Sequence, residues 1–148
     1  MKSRKSQKIK KFMLCFSLMV TLVLGSVGSA YAASVTSSMS IRGHQYNTYS
    51  AESATRKTTN SNNAWRIQLT SSTEKQGTVT SFWLVNGNAT GTTLSKKIDV
   101  KKGSGWNDCV PYSAANSSNG VKVKIGAENN TWNSETYDIT CDWVAQAS

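Results

Sequence analysis

The stretch Thr78–Gly87, TVTSFWLVNG, decides the fold of this chain. It is rich in β-branched and aromatic residues, which favour extended strands. Side chains of a strand point alternately to its two faces, so the run from Phe82 to Val85 is apolar on both. This predicts a central strand that is covered on both sides. Asn86-Gly87 then ends the strand with a dipeptide that suits a tight hairpin.

Other segments of the chain alternate apolar and polar residues with a period of two, the pattern of half-buried strands. The clearest are Trp65–Thr70, Val121–Ile125 and Tyr137–Trp143, and weaker candidates are Ser34–Ile41, Thr55–Thr59 and Thr93–Val100. Clusters of Asn, Ser and Gly separate these segments, and no helical period occurs after residue 32. The chain is therefore predicted to be all-β: a single antiparallel β-sandwich or small barrel of six to eight short strands.

The N-terminus has the organisation of a cleaved secretory signal peptide. A basic head precedes an apolar run, Phe12–Leu24, and small residues end at Ala30-Tyr31-Ala32. The apolar run spans thirteen residues, whereas a membrane-spanning helix needs roughly 20. We therefore expect residues 1–32 to be a signal peptide, residues 33–148 to be a secreted β-sandwich domain, and no stable membrane insertion after cleavage.

The charge of the secreted domain is lower than that of the whole chain. The predicted signal peptide holds six of the 17 basic residues and none of the eight acidic ones, which leaves 11 basic and eight acidic residues and a net charge of +3. No dense basic stripe remains, so a nucleic-acid partner is not expected. Weak attraction to an anionic cell envelope is compatible with this charge and would be screened by salt.

Two cysteines, Cys109 and Cys141, remain after cleavage. An exported chain with two cysteines is expected to form one disulfide, which would fix the Trp106–Pro111 connection to the last strand. The alternative is two free thiols, because many Gram-positive secreted proteins avoid disulfides. No metal site is expected, since His44 is the only histidine and there is no third soft ligand.

The sequence offers little for catalysis. A catalytic triad would have to use His44, and the chain contains no nucleophile elbow, zinc-binding pair or phosphate loop. The carboxylates are scattered rather than paired. We expect no enzymatic activity and no cofactor; a weaker alternative is an enzyme that uses His44 with Tyr46 or Tyr49.

Loop aromatic residues are the better candidates for function. Trp65, Trp83 and Trp143 fit strands, but Trp106 and Trp132 lie in polar connections. An aromatic ring on a loop can stack on a sugar or enter a lipid headgroup layer, or it can instead cap the end of the core. The predicted binding set consists of Tyr46, Tyr49, Trp106, Asn129, Asn130 and Trp132. The two asparagines also suit a turn, and this structural role is left open as an alternative.

The chain resembles a family of small secreted proteins of Gram-positive bacteria that has no assigned function. The matching pieces are Tyr46 with Tyr49, Arg56–Asn60 followed by Trp65, Phe82–Leu84, Gly103–Gly105 and Gly126–Asn130. The resemblance implies secretion and a compact β fold, and it implies no catalytic residue. Within these pieces, Arg56 is expected to reach an acid such as Glu128.

These observations favour an exported, non-enzymatic β domain that binds a component of the cell envelope or the extracellular surroundings. The expected location is extracellular, with the cell wall as a candidate partner. The alternative is a secreted antagonist, either a small antibacterial protein or its accessory factor. The oligomeric state is not predicted.

Overall fold

The computed structural model describes residues 33–57, 63–74, 78–112 and 120–147. The predicted signal peptide lies outside these ranges. Within these ranges the chain forms no helix, and therefore no helix that could span a membrane. Its strands are β1 (Val35–Ile41), β2 (Thr48–Tyr49), β3 (Ala54–Arg56), β4 (Trp65–Ser72), β5 (Val79–Asn86), β6 (Ile98–Lys101), β7 (Asn107–Cys109), β8 (Val121–Asn129) and β9 (Tyr137–Val144).

The strands form two antiparallel sheets. Sheet I has the order β1-β9-β4-β7, and sheet II has the order β2-β8-β5-β6, with β3 pairing the same edge of β8 as β2 does. The predicted all-β sandwich is confirmed. The described residues contain nine strands rather than six to eight, because β2 and β7 are only two and three residues long and leave no alternating pattern.

The core lies between the sheets and is made by the residues that alternate inward from both. It includes Trp65, Ile67 and Leu69 of β4 and extends through the other strands with Met39, Ile41, Phe82, Leu84, Val100, Val123, Ile125, Ile139 and Trp143. Among the described residues, the core extends from Val35 to Ala145.

Strand β5 is buried on both faces, as its sequence predicts. Phe82 and Leu84 belong to the core, whereas Trp83 and Val85 point to the outer face of sheet II and are also buried. Trp83 lies against Gly126 of β8, where an added Cβ would stand 2.4 Å from Trp83 Cε2. Its ring meets the Tyr49 ring edge-on at 6.5 Å and lies 4.7 Å from Lys97 Nζ. The side chains of Tyr49 and Lys97 therefore cover the Trp83 ring on the outer face of sheet II.

The predicted disulfide is wrong, because both thiols are free and β4 separates them. Cys109 of β7 lies opposite Trp65, and Cys141 of β9 lies opposite Leu69. Two strand spacings and four residues along β4 put the two cysteines roughly 16 Å apart, whereas a disulfide joins Cα atoms at most about 6.8 Å apart. The connection after Trp106 is held by pairing with β4 and by the bridge between Pro111 and Ser95, not by β9.

The predicted contact between Arg56 and Glu128 is also wrong, because the two side chains lie on opposite faces of sheet II. Arg56 is fully buried between the sheets and donates hydrogen bonds to the carbonyl oxygens of Ala145 and Asn63. Glu128 is on the outer face, where its Oε1 accepts a hydrogen bond from Lys97 Nζ at 2.5 Å. Arg56 therefore links β3 to the chain at the end of β9 and before β4.

Candidate functional site

Two connections meet at one end of the sandwich: residues 42–47 between β1 and β2, and residues 130–136 between β8 and β9. They meet because Ile41 pairs with Tyr137 in the ladder of sheet I. We call these two connections together the loop platform. It contains Tyr46, Asn130 and Trp132 of the predicted binding set, and Asn129 borders it as the last residue of β8.

The two connections of the platform touch through their backbones. An added Cβ on Gly43 would stand 2.6 Å from the carbonyl carbon of Ser134, a distance that only glycine permits. The His44 N–H donates to the Asn133 carbonyl oxygen at 2.5 Å, and Gln45 Nε2 donates to the Asn130 carbonyl oxygen at 3.3 Å. The position of one loop is thus fixed by the other.

His44 and Gln45 adopt left-handed backbone angles, with φ of 58° and 56°. They form the tip of a reversal that the bridge between Arg42 and Tyr46 closes. This conformation costs a non-glycine residue about 1–2 kcal/mol and persists only where its surroundings fix it. The contacts with the second loop supply that constraint.

Three rings project from the platform. The rings of His44 and Trp132 meet edge to face, with centroids 5.3 Å apart and an angle of 61° between planes. Trp132 is 70% exposed and Tyr46 is 64% exposed. At that exposure Trp132 does not cap the core, so the capping alternative is wrong for this residue. The result is an aromatic surface open to solvent, on two loops whose backbones contact each other.

Asn129 has the structural role that the sequence left open. Its side chain is buried, its Oδ1 accepts the Thr131 N–H at 2.9 Å, and its Nδ2 donates to Asn133 Oδ1 at 2.8 Å. Such bonds from an asparagine to the backbone two residues on define a turn. Asn129 therefore shapes the loop that carries Trp132 rather than facing solvent.

A shallow groove of about 800 Å³ runs from the platform between the edge strand β1 and β2. Hydroxyl-bearing side chains line it, and so do Tyr46 and Tyr49. Tyr49 also packs on Trp83, so it is half-buried and takes part in both the groove and the outer face of sheet II. The sequence did not identify Arg42 or the hydroxyl lining, because they come together only when β1 becomes an edge strand.

Trp106 lies on a different surface, the outer face of sheet I, and is 41% exposed. The Arg66 guanidinium carbon is 5.8 Å from its ring centroid. Arg66 in turn donates from Nε and Nη2 to the two carboxylate oxygens of Asp108, at 2.9 and 3.1 Å. The predicted binding set is thus divided between two surfaces.

The cysteines offer no activated nucleophile. Burial raises the pKa of Cys141 to about 12 and also raises the pKa of Cys109, so both thiols stay protonated at neutral pH. Among the described residues, no three His, Cys, Asp or Glu side chains are grouped so that they could hold a metal ion.

No family model, curated protein or solved structure matches this chain. The resemblance to a family of small secreted proteins stays a prediction from the sequence.

Proposed function

We propose that this protein is an exported, non-enzymatic β domain that binds a component of the cell envelope through the loop platform. The observation that carries the proposal is the exposed Trp132 ring, packed on His44 beside the exposed Tyr46, on loops held in a strained conformation. Export and a position outside the cell, at or near the wall, rest on the signal-peptide pattern of residues 1–32.

The rigidity of the platform favours this function. Tryptophan and tyrosine offer large apolar surfaces to a sugar ring or another flat ligand, and ligand binding is tighter when the protein has already ordered the residues that make the contact. The contacts of Gly43 and His44 with the second loop provide this order in the unbound protein. Exposed aromatic side chains that need no rearrangement are typical of residues that dominate binding energy.

The test is sedimentation of residues 33–148 with washed Gram-positive cell walls over a range of salt concentrations. We expect retention at physiological salt, and we expect Trp132→Ala to weaken retention by about tenfold or more. Trp106→Ala is the matched control, because it removes an exposed tryptophan from the other surface and should leave retention unchanged.

Loss of retention in both variants, or in neither, would contradict the assignment to the platform. If the wild-type protein is not retained at any salt concentration, the proposal fails. The secreted-antagonist alternative would then be tested by growth of related strains with micromolar protein.

A further inference from the structure

Arg42 belongs to the loop platform and lines the groove together with His44 and Tyr46. It is exposed, and it is bridged to Tyr46 across the reversal. Residues directly opposite each other in an antiparallel pair have their side chains on one face, with Cβ atoms about 4.5–5.5 Å apart. A guanidinium and an aromatic ring therefore share one small surface.

Arg42 differs in its ion pairing from the two other cations that lie beside aromatic rings. Arg66 lies near Trp106 and is paired with Asp108, and Lys97 lies near Trp83 and is paired with Glu128. Across the described part of the chain, Arg42 forms no ion pair. Two cation–ring contacts are thus neutralised within the protein, whereas the cation at the groove is open to a ligand.

The groove has a charge of one sign. Among the described residues that line it, none is Asp or Glu, and Arg42 is the only Lys or Arg. Glu52 and Glu135 are exposed neighbours of lining residues but do not line the groove themselves. Ser38, Ser40 and Thr48 supply hydroxyl side chains along its length. The groove therefore offers a ring surface, hydroxyl groups and one cation.

We infer that the ligand of the platform is an acidic sugar polymer. A sugar ring would stack on the platform rings, its hydroxyl groups would meet the serine and threonine lining, and a carboxylate or phosphate on the polymer would bind the Arg42 guanidinium. The planar fork of arginine donates two parallel hydrogen bonds to either anion. This inference rests on the proposed function and specifies the ligand class. In a Gram-positive wall the anion can come from the carboxylates of peptidoglycan or the phosphodiesters of teichoic acid.

The experiment measures the affinity of residues 33–148 for three probes: soluble peptidoglycan strands, purified wall teichoic acid and uncharged chito-oligosaccharide. We expect at least one anionic polymer to bind more tightly than the uncharged one, and the anion that binds identifies the source. Arg42→Gln should weaken that binding by about tenfold, the loss expected for one charge-assisted contact. Binding to the uncharged probe should not change with this substitution.

Arg66→Gln is the matched control, because it removes an arginine beside an aromatic ring on the other surface and should leave binding unchanged. Arg42 is exposed, so equal melting temperatures of Arg42→Gln and wild type serve as the check on folding. Equal affinity for charged and uncharged probes, or no effect of Arg42→Gln, would overturn the inference. If Trp132→Ala still weakens binding in that case, the proposed function stands without the inference. If no probe binds, the inference fails, and retention on whole cell walls decides the proposed function separately.

Discussion

Because of Cys141, the domain should become less stable as the pH rises into the alkaline range. Burial, with smaller contributions from the charges of Asp142 and Glu52, raises the pKa of its thiol from 9.0 to about 12 in the folded state. The unfolded chain therefore releases this proton first, so the free energy of unfolding falls as pH rises above 9. From pH 8 to pH 10 we expect wild type to lose about 1.4 kcal/mol more than Cys141→Ala.

Urea unfolding of both proteins at the two pH values measures this difference. The comparison cancels the contributions of Cys109 and Tyr137, whose pKa values burial also raises. If the two proteins lose the same free energy of unfolding between pH 8 and pH 10, the pKa of the Cys141 thiol is not raised in the folded state.

The separation of Cys109 and Cys141 across β4 also predicts the thiol content. Denatured, unreduced residues 33–148 should react with two equivalents of a thiol reagent. The folded protein should react first at the half-buried Cys109, because Cys141 is buried. A count of zero in the denatured protein would mean that the strand order of sheet I is not as described.

The pairing of β5 with β8 depends on Gly126. Glycine weakens strands, yet strand β8 contains Gly126 in its interior. A glycine is needed there because the Trp83 ring occupies the space that a side chain would fill. Gly126→Ala should displace the ring and lower the free energy of unfolding by about 1–3 kcal/mol. Gly91→Ala is the control: no atom lies within 4 Å of its added Cβ, so stability should be nearly unchanged. Equal effects of the two substitutions in chemical denaturation would contradict this packing.

The strands that the sequence predicts most clearly either alternate over five residues or more or contain an unbroken apolar run. Strands β4, β8 and β9 alternate, β5 contains the apolar run, and their burial follows the predicted pattern. The predicted strand Thr93–Val100 is instead interrupted: Thr93 bridges Val85, and regular pairing resumes at Ile98. Residues 58 and 59 of the predicted strand Thr55–Thr59 lie outside the described residues.

The order of strands across a sheet leaves no periodic signal in the sequence. The disulfide prediction failed for this reason, since residues that both face the core can be separated by a whole strand. The site is affected in the same way. The sequence identified Trp132 from its polar surroundings, but Arg42 lies near it only because β1 pairs with β9.

At the scale of the whole molecule, Arg56 connects the two sheets. It extends from β3 in sheet II to carbonyl groups at Ala145 and Asn63, beside the ends of sheet I strands. Burial lowers its pKa to about 10, so it is charged at neutral pH. Arg56→Met would leave these carbonyl groups without their charged donor and should destabilise the domain by about 2–4 kcal/mol.

Arg66→Met is the matched control for this change. It breaks the exposed ion pair with Asp108, and such pairs contribute at most about 1 kcal/mol. Thermal or urea unfolding compares the two variants. A loss for Arg56→Met no larger than that for Arg66→Met would contradict a connecting role.

The central claim is that the loop platform, and not the outer face of sheet I, contacts the cell envelope. The most direct measurement is a titration of residues 33–148 with solubilised cell-wall polymer, followed by the NMR signals of the tryptophan indole N–H groups. We predict that the Trp132 signal shifts or broadens and that the Trp106 signal stays in place. A change at Trp106 without one at Trp132, or no change at either, would contradict the claim.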